Sequence, residues 1–128
     1  MIKVKNGELQ NIHAGLSEIA DKELPVKTSY WVSKIIIKIE TELRILEKQR
    51  IAILKKHSEK DDSGNPIIVN DNYKIADITN FYKDINDLMS IEIDIGYDQL
   101  MLSAFEGINI KPVTLMQLNK IIVDDLEE

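Results

Sequence analysis

The chain has 128 residues, a net charge of −6, 44% hydrophobic residues and no cysteine. That fits one domain, residues 1–128, with a core of Ile and Leu, because aromatic residues make up only 5%. The missing cysteines exclude disulfides, thiol nucleophiles and thiolate metal sites. The acidic balance argues against a general nucleic-acid binder, whose affinity comes mostly from neutralising phosphates.

MIKVKNGELQ at the N-terminus lacks the apolar run of a secretory signal, and no stretch reaches the roughly 18 apolar residues of a membrane span. A soluble, intracellular protein without membrane contact is the expectation. Ile2 and Val4 alternate with Lys3 and Lys5, so a short strand is expected at 2–5. Asn6-Gly7 marks a turn, with Asn6 as a candidate cap. Leu9, Ile12, Leu16 and Ile19 then predict a helix over 8–21 that ends before Leu24-Pro25.

After Pro25 comes the strongest signal. Val32, Ile36, Ile39, Leu43, Leu46, Arg50, Ile53 and His57 alternate in steps of four and three, a heptad seam. No Pro or Gly interrupts residues 26–63. A helix over about 28–58, capped by Thr28 or Ser29, would be roughly 45 Å long. It needs an antiparallel partner helix, a second copy of the chain, or both.

The cluster from Asp61 to Pro66 is a turn, and a small hairpin is expected within 67–75 around Asn70-Asp71-Asn72. Ile78, Phe81, Ile85 and Leu88 predict a helix over 76–90 that folds back on the long one as a helical hairpin. Ile91, Ile93 and Ile95 alternate with Glu92 and Asp94, a strand at 91–95 with one acidic face. Leu100 to Phe105 reads as a helical turn. Leu115, Leu118, Ile121 and Leu126 mark a last helix over 113–124. The fold class expected is α+β and mostly α: a long central helix in an antiparallel hairpin, flanking N- and C-terminal helices, and short strands.

Catalytic and metal patterns are not found. His13 and His57 have no partner at a metal-ligand spacing. The loop EKDDSGNPIIVN imitates a calcium loop at Glu59, Asp61 and Ser63, but Asn70 stands where a bidentate Glu is required, so it reads as a polar turn. Glu92 and Asp94 read as a charged sheet edge that resists aggregation. No phosphate-binding glycine loop, GxSxG or HExxH is present, so no enzyme, metal or cofactor is expected.

Charge is distributed unevenly. Residues 27–60 hold nine Lys/Arg against four Asp/Glu, and the remainder seven against eighteen. The basic side chains of the long helix either pair with acidic groups of the helix itself and of helix 76–90, or form an anion site. Arg50, within the apolar seam, requires a carboxylate or a path to water, with Asp84 and Asp87 as candidate partners. For Trp31, the single tryptophan, core packing, an oligomer interface and a base-stacking platform stay open. Trp31, Lys34, Lys38, Arg44 and Arg50 are the candidate ligand-binding residues.

The segments NGELQNIHAGLSEIADKELPVKTSYWVSK, ILKKHSEKDDSGNP and INDLMSIEIDI resemble small uncharacterised proteins of phages and prophages of low-GC Gram-positive bacteria. The resemblance covers most of the chain and supplies no catalytic residues. It implies phage origin and action in the cytoplasm of an infected bacterial host. In that setting the expected function is that of a non-enzymatic binding protein that neutralises a host component. It would be a defence inhibitor that sequesters a small anionic signalling nucleotide or occludes a host protein, acting as a homo-oligomer. The alternative is a virion assembly factor such as a tail or head assembly chaperone. Sequence-specific DNA binding is disfavoured, because a recognition helix is short and follows a tight turn.

Overall fold

The structure, a computed structural model, describes residues 1–125. In chain order the elements are β1 (Lys3–Lys5), α1 (Leu9–Ala20), α2 (Val26–His57), β2 (Ile68–Val69), β3 (Asn72–Tyr73), α3 (Ile78–Ser90), β4 (Glu92–Asp94), β5 (Leu100–Met101), α4 (Pro112–Gln117) and β6 (Ile122–Val123). Single 3-10 turns occupy Asn6–Glu8 and Leu102–Phe105. The fold is α+β and mostly α, built around the expected long helix. The chain packs as two compact units. One comprises Met1–Leu43 with the chain from Glu92 onward, the other Arg44–Ile91.

The first unit holds the saturated core. Leu9, Ile12, Leu16 and Ile19 of α1 are all buried, as their spacing requires, and so are Val32, Ile35 and Ile39 of α2. Ile2, Val4, Ile95, Leu100, Phe105, Leu118 and Ile121 complete it. β1 and β4 pair antiparallel, with Val4 opposite Ile93 on the apolar face. Lys3 faces Asp94 and Lys5 faces Glu92, so the acidic side of β4 is matched by opposite charge across the ladder. Glu8 fastens the start of α1. Its carboxylate accepts the Lys120 ammonium at 2.8 Å and the Lys5 backbone N–H at 2.9 Å. The Lys120 hydrogen bond is the main cause that holds its pKa below the usual range.

In the second unit, the C-terminal half of α2 and α3 run antiparallel as a helical hairpin, and β2 and β3 form the small hairpin expected between them. Its two-residue loop, Asn70-Asp71, has φ of 51° and 63°. Both values are positive, as a type I′ turn requires. Asp77 caps α3, its Oδ1 accepting the Asn80 N–H at 3.1 Å. Apolar cover here is incomplete. Leu46 is the one apolar side chain that counts as buried, at 9% exposure, and α3 buries no residue.

Several expectations are corrected. Of the seam residues, Val32, Ile39 and Leu46 are buried, whereas Ile36, Leu43, Ile53 and His57 are half-buried. Ile35 is fully buried and Ile36 is not, because the buried stripe of α2 steps by three and then four from Val32, where the expected seam steps by four and then three. α2 starts at Val26, and the Pro25 carbonyl accepts the Ser29 N–H, so neither Thr28 nor Ser29 is its cap. The last helix ends at Gln117. Beyond a tight turn at Leu118–Ile121, the β-branched pair Ile122-Val123 extends and joins Leu100-Met101 in a parallel ladder. Leu126 lies outside the described residues.

α1 and α4 approach closely at Gly15. A Cβ placed there would stand 2.9 Å from Leu118 Cγ and 3.1 Å from Gln117 Cβ. Gly to Ala in a helix interior ordinarily gains about 1 kcal/mol, and overpacking costs about 1–3 kcal/mol. Leu118 is fully buried and cannot retreat. Gly15→Ala should therefore lose about 1 kcal/mol net in urea unfolding. A gain in stability would show that the contact is slack.

Candidate functional site

The aromatic residues of this chain number one Trp, four Tyr and two Phe, and three of the seven meet at one place in the first unit. Trp31 lies in the second turn of α2. Its ring centroid is 5.3 Å from that of Tyr30 and 6.1 Å from that of Tyr97, both edge-on. Trp31 is 47% exposed and Tyr30 51%. Trp31 is therefore outside the core, on the surface of a unit whose own core is closed.

The backbone explains why Tyr97 arrives there. The Tyr97 carbonyl accepts the Ile2 N–H at 2.9 Å, and the Ile95 N–H donates to the Ile2 carbonyl at 2.9 Å, so the β1–β4 ladder continues past β4. Gly96, at a φ of 85°, then turns the chain. The opposite wall is braced by Thr28, buried one turn before Trp31. Its hydroxyl donates to the Ala104 carbonyl at 3.3 Å. Ser103 next to it donates its backbone N–H to Asp125 Oδ1 at 2.9 Å and its hydroxyl to Oδ2. The Ser103 hydroxyl is the main cause that holds the Asp125 carboxyl below its ordinary pKa.

Between these walls is an open cleft of about 510 Å³, whose lining includes Trp31, Tyr97, Met1, Leu100, Met101 and Ala104. Lys27 and Asp98 bring one charge of each sign to it. Asp98 lies 3.7 Å from the N-terminal ammonium. The cleft combines an apolar, aromatic floor with little net charge.

The other candidate residues do not join Trp31 in that cleft. The Lys34 ammonium sits over the Tyr30 ring, 5.4 Å from its centroid, a cation–π contact next to the aromatic cluster. Lys38 pairs with Glu42 one turn on at 2.9 Å. Arg44 is exposed. Arg50 finds its carboxylate in its own helix. Its Nε and one terminal nitrogen donate to Glu47 at 2.9 and 2.6 Å, which raises the guanidinium pKa and lowers that of Glu47. Its side chain is 42% exposed, so the seam position does not bury it. Arg44 and Arg50, six residues apart, point about 120° away from each other around α2.

Asp84, one of the two candidate partners for Arg50, is taken by other groups. His57 Nε2 lies 2.6 Å from its Oδ2, and the Lys56 ammonium donates to the same oxygen at 3.2 Å. The His57 ring is edge-on to Phe81, with centroids 6.3 Å apart. The loop that imitates a calcium site is a closed polar turn, in which Asp61 Oδ1 accepts the N–H groups of Ser63 and Asn65. Among the described residues no three His, Asp or Glu side chains gather as a metal cluster, and no helix is long and apolar enough to cross a membrane.

Sequence reasoning singled out Trp31 and missed Tyr97, Thr28 and Met101. Their one local signal is Gly96-Tyr97-Asp98, an aromatic residue set in a turn directly after an alternating strand. Comparison with protein-family models, with curated proteins and with solved structures finds no match to this chain.

The Asp84 carboxyl is held below its ordinary pKa, first by the His57 hydrogen bond and then by that of Lys56. A carboxyl whose pKa is lower in the fold than in the unfolded chain stabilises above the unfolded value, about 3.9. That contribution is lost as the pH falls through the folded value. Asp84→Asn should therefore be less stable than the parent near neutral pH, and the gap should close below about pH 4. Thermal unfolding across that range checks this. A gap that persists into stronger acid would mean that packing, not charge, was lost.

Proposed function

We propose that this is a phage-encoded, non-enzymatic binding protein that neutralises a component of the host cell, and that it does so by occluding a host protein. The observation that carries this reading is the Trp31 cleft. An exposed Trp, flanked by two Tyr and two Met over an apolar floor, is the composition of an interface anchor, and such residues dominate the energy of protein–protein association. The walls are fixed by backbone ladders and by the Thr28 and Ser103 hydrogen bonds, so little ordering cost remains to be met on binding.

The same cleft gives less support to sequestration of a signalling nucleotide. Phosphates call for converging cations, and the lining holds only Lys27 and the N-terminal ammonium, the latter 3.7 Å from Asp98. Lys38 and Arg50 already satisfy carboxylates of their own helix. An assembly chaperone for a virion protein is the second reading, and the apolar side chains that α3 leaves uncovered favour it. Action in the cytoplasm of an infected bacterium belongs to the same proposal and rests on the resemblance to phage proteins.

Affinity capture from host extract and from infected cells, with the intact chain and with Trp31→Ala, tests the reading. A specific host protein should be retained by the parent and weakened about 30-fold or more by Trp31→Ala, the effect of removing an anchor worth about 2 kcal/mol. Arg50→Ala should retain it. Native mass spectrometry that finds a nucleotide-sized ligand lost on Arg50→Ala would replace occlusion by sequestration. Retention of a virion protein alone would select the assembly role.

A further inference from the structure

The Trp31 cleft has a second wall, made of backbone. Gln99, Leu100 and Met101 line it, and no residue of β6 does. β5 therefore turns to the cleft the side that faces away from its partner strand. The Leu100 N–H donates to the Ile121 carbonyl at 2.8 Å, toward β6. A trans peptide unit sets its C=O opposite its N–H, so the Gln99 carbonyl points the other way. The parallel register sets Leu100 opposite Ile122 and Met101 opposite Val123. That register turns the Leu100 carbonyl to β6 and the Met101 N–H away from it. Among the described residues no hydrogen bond takes the Gln99 carbonyl or the Met101 N–H.

These two groups, an acceptor and a donor on either side of Leu100, are what one residue of an added strand bonds. Its own N–H goes to Gln99 and its carbonyl to Met101. A helix cannot make that pair, because its own turns use its backbone groups. The edge is also unguarded. Lys3, Lys5, Glu92 and Asp94 keep charge along the β1–β4 ladder, the device that blunts a strand edge, whereas residues 99–101 carry none. Gln99 is exposed, and Met101 is 48% exposed.

We propose that the segment held in the Trp31 cleft is an extended stretch of the host protein, added as a third strand to the free edge of β5. The inference rests on the reading of the cleft as the occluding surface and names the kind of segment it takes. Side chains alternate along a strand, so every second residue of the segment meets the floor of Trp31, Leu100 and Ala104 and is apolar. Main-chain bonds supply affinity, and the floor selects among sequences.

Selection of random linear peptides on the intact chain tests it, with two variants beside the parent. Met101 has φ −85° and ψ 138°, near what a proline ring holds, and follows an extended residue. Met101→Pro therefore removes the donor within the same backbone, and Met101→Ala keeps the donor but removes the side chain. A peptide with apolar residues at alternate positions should be enriched. Its affinity should fall about tenfold or more with Met101→Pro and about threefold or less with Met101→Ala. An N-methyl scan of the same peptide should lose as much at alternate residues and little between them, and it decides the case where Met101→Pro disturbs the fold. The absence of any enriched peptide overturns the proposal, and so does a flat N-methyl scan or a peptide that binds as a helix. A host protein lost on Trp31→Ala but retained by a folded Met101→Pro chain leaves occlusion standing and removes strand addition. One indifferent to Trp31→Ala removes occlusion through the cleft, and this inference with it.

Discussion

A helix of 32 residues needs apolar cover along its whole length, and this chain supplies it for only part. Over the first half of α2 the core-facing stripe is covered, while Trp31 and Ile37 stay exposed. Val32, Ile35 and Ile39 are excluded from solvent by a core of Ile, Leu, Val and one Phe drawn from both ends of the sequence. At roughly 1.5–3 kcal/mol for each fully buried side chain of that size, the stripe is what fixes the first unit. Everything that shapes the aromatic cleft depends on it. Trp31 and Thr28 flank the buried Val32 on the same helix, and Tyr97 is delivered by a strand whose neighbour Ile95 is itself in that core.

Over the second half the balance of forces is different. Ile51, Ile53, Leu54, Ile85, Leu88 and Met89 are all half-buried, and polar contacts carry more of the specification. Lys56 and His57 converge on Asp84, Asp77 caps α3, and Lys74 pairs with Glu59. Exposed or half-exposed ion pairs contribute little each. They fix which helix faces which, but they cannot replace buried area.

How much of this was legible in the sequence follows from range. Local periodicity located α1, α2, α3 and the β2–β3 hairpin within a few residues, because each is set by contacts a few positions apart or by turn residues such as Asn70-Asp71. The β5–β6 ladder was not legible. It joins two-residue segments some twenty positions apart, too short for any period, and Ile122-Val123 instead looked like a continuation of the helix before it. Arg50 misled for a related reason. A seam position implies burial only where the partner helix covers it, and the seam cannot report that cover. Here Glu47, three residues earlier, was a nearer carboxylate than any on α3.

The same limits applied to the site. Trp31 stood out because it is the only tryptophan, but rarity does not say whether a ring is buried. Its exposure follows from helical phase. Val32, Ile35 and Ile39 occupy an arc of about 60° on the helix, and Trp31, about 40° beyond Ile35 and about 100° from Val32, stands at the margin of that stripe. Tyr97 came from a distant turn, which only the pairing of β4 with β1 could bring alongside. The basic residues were judged by their number, but what decides an anion site is convergence. Lys38 and Arg50 each have a carboxylate within one helical turn, which cancels at short range the charge that a count over thirty residues displays. The surplus of positive charge on α2 is therefore not concentrated into a pocket. It is spread along and around the helix, as the roughly 120° between Arg44 and Arg50 requires.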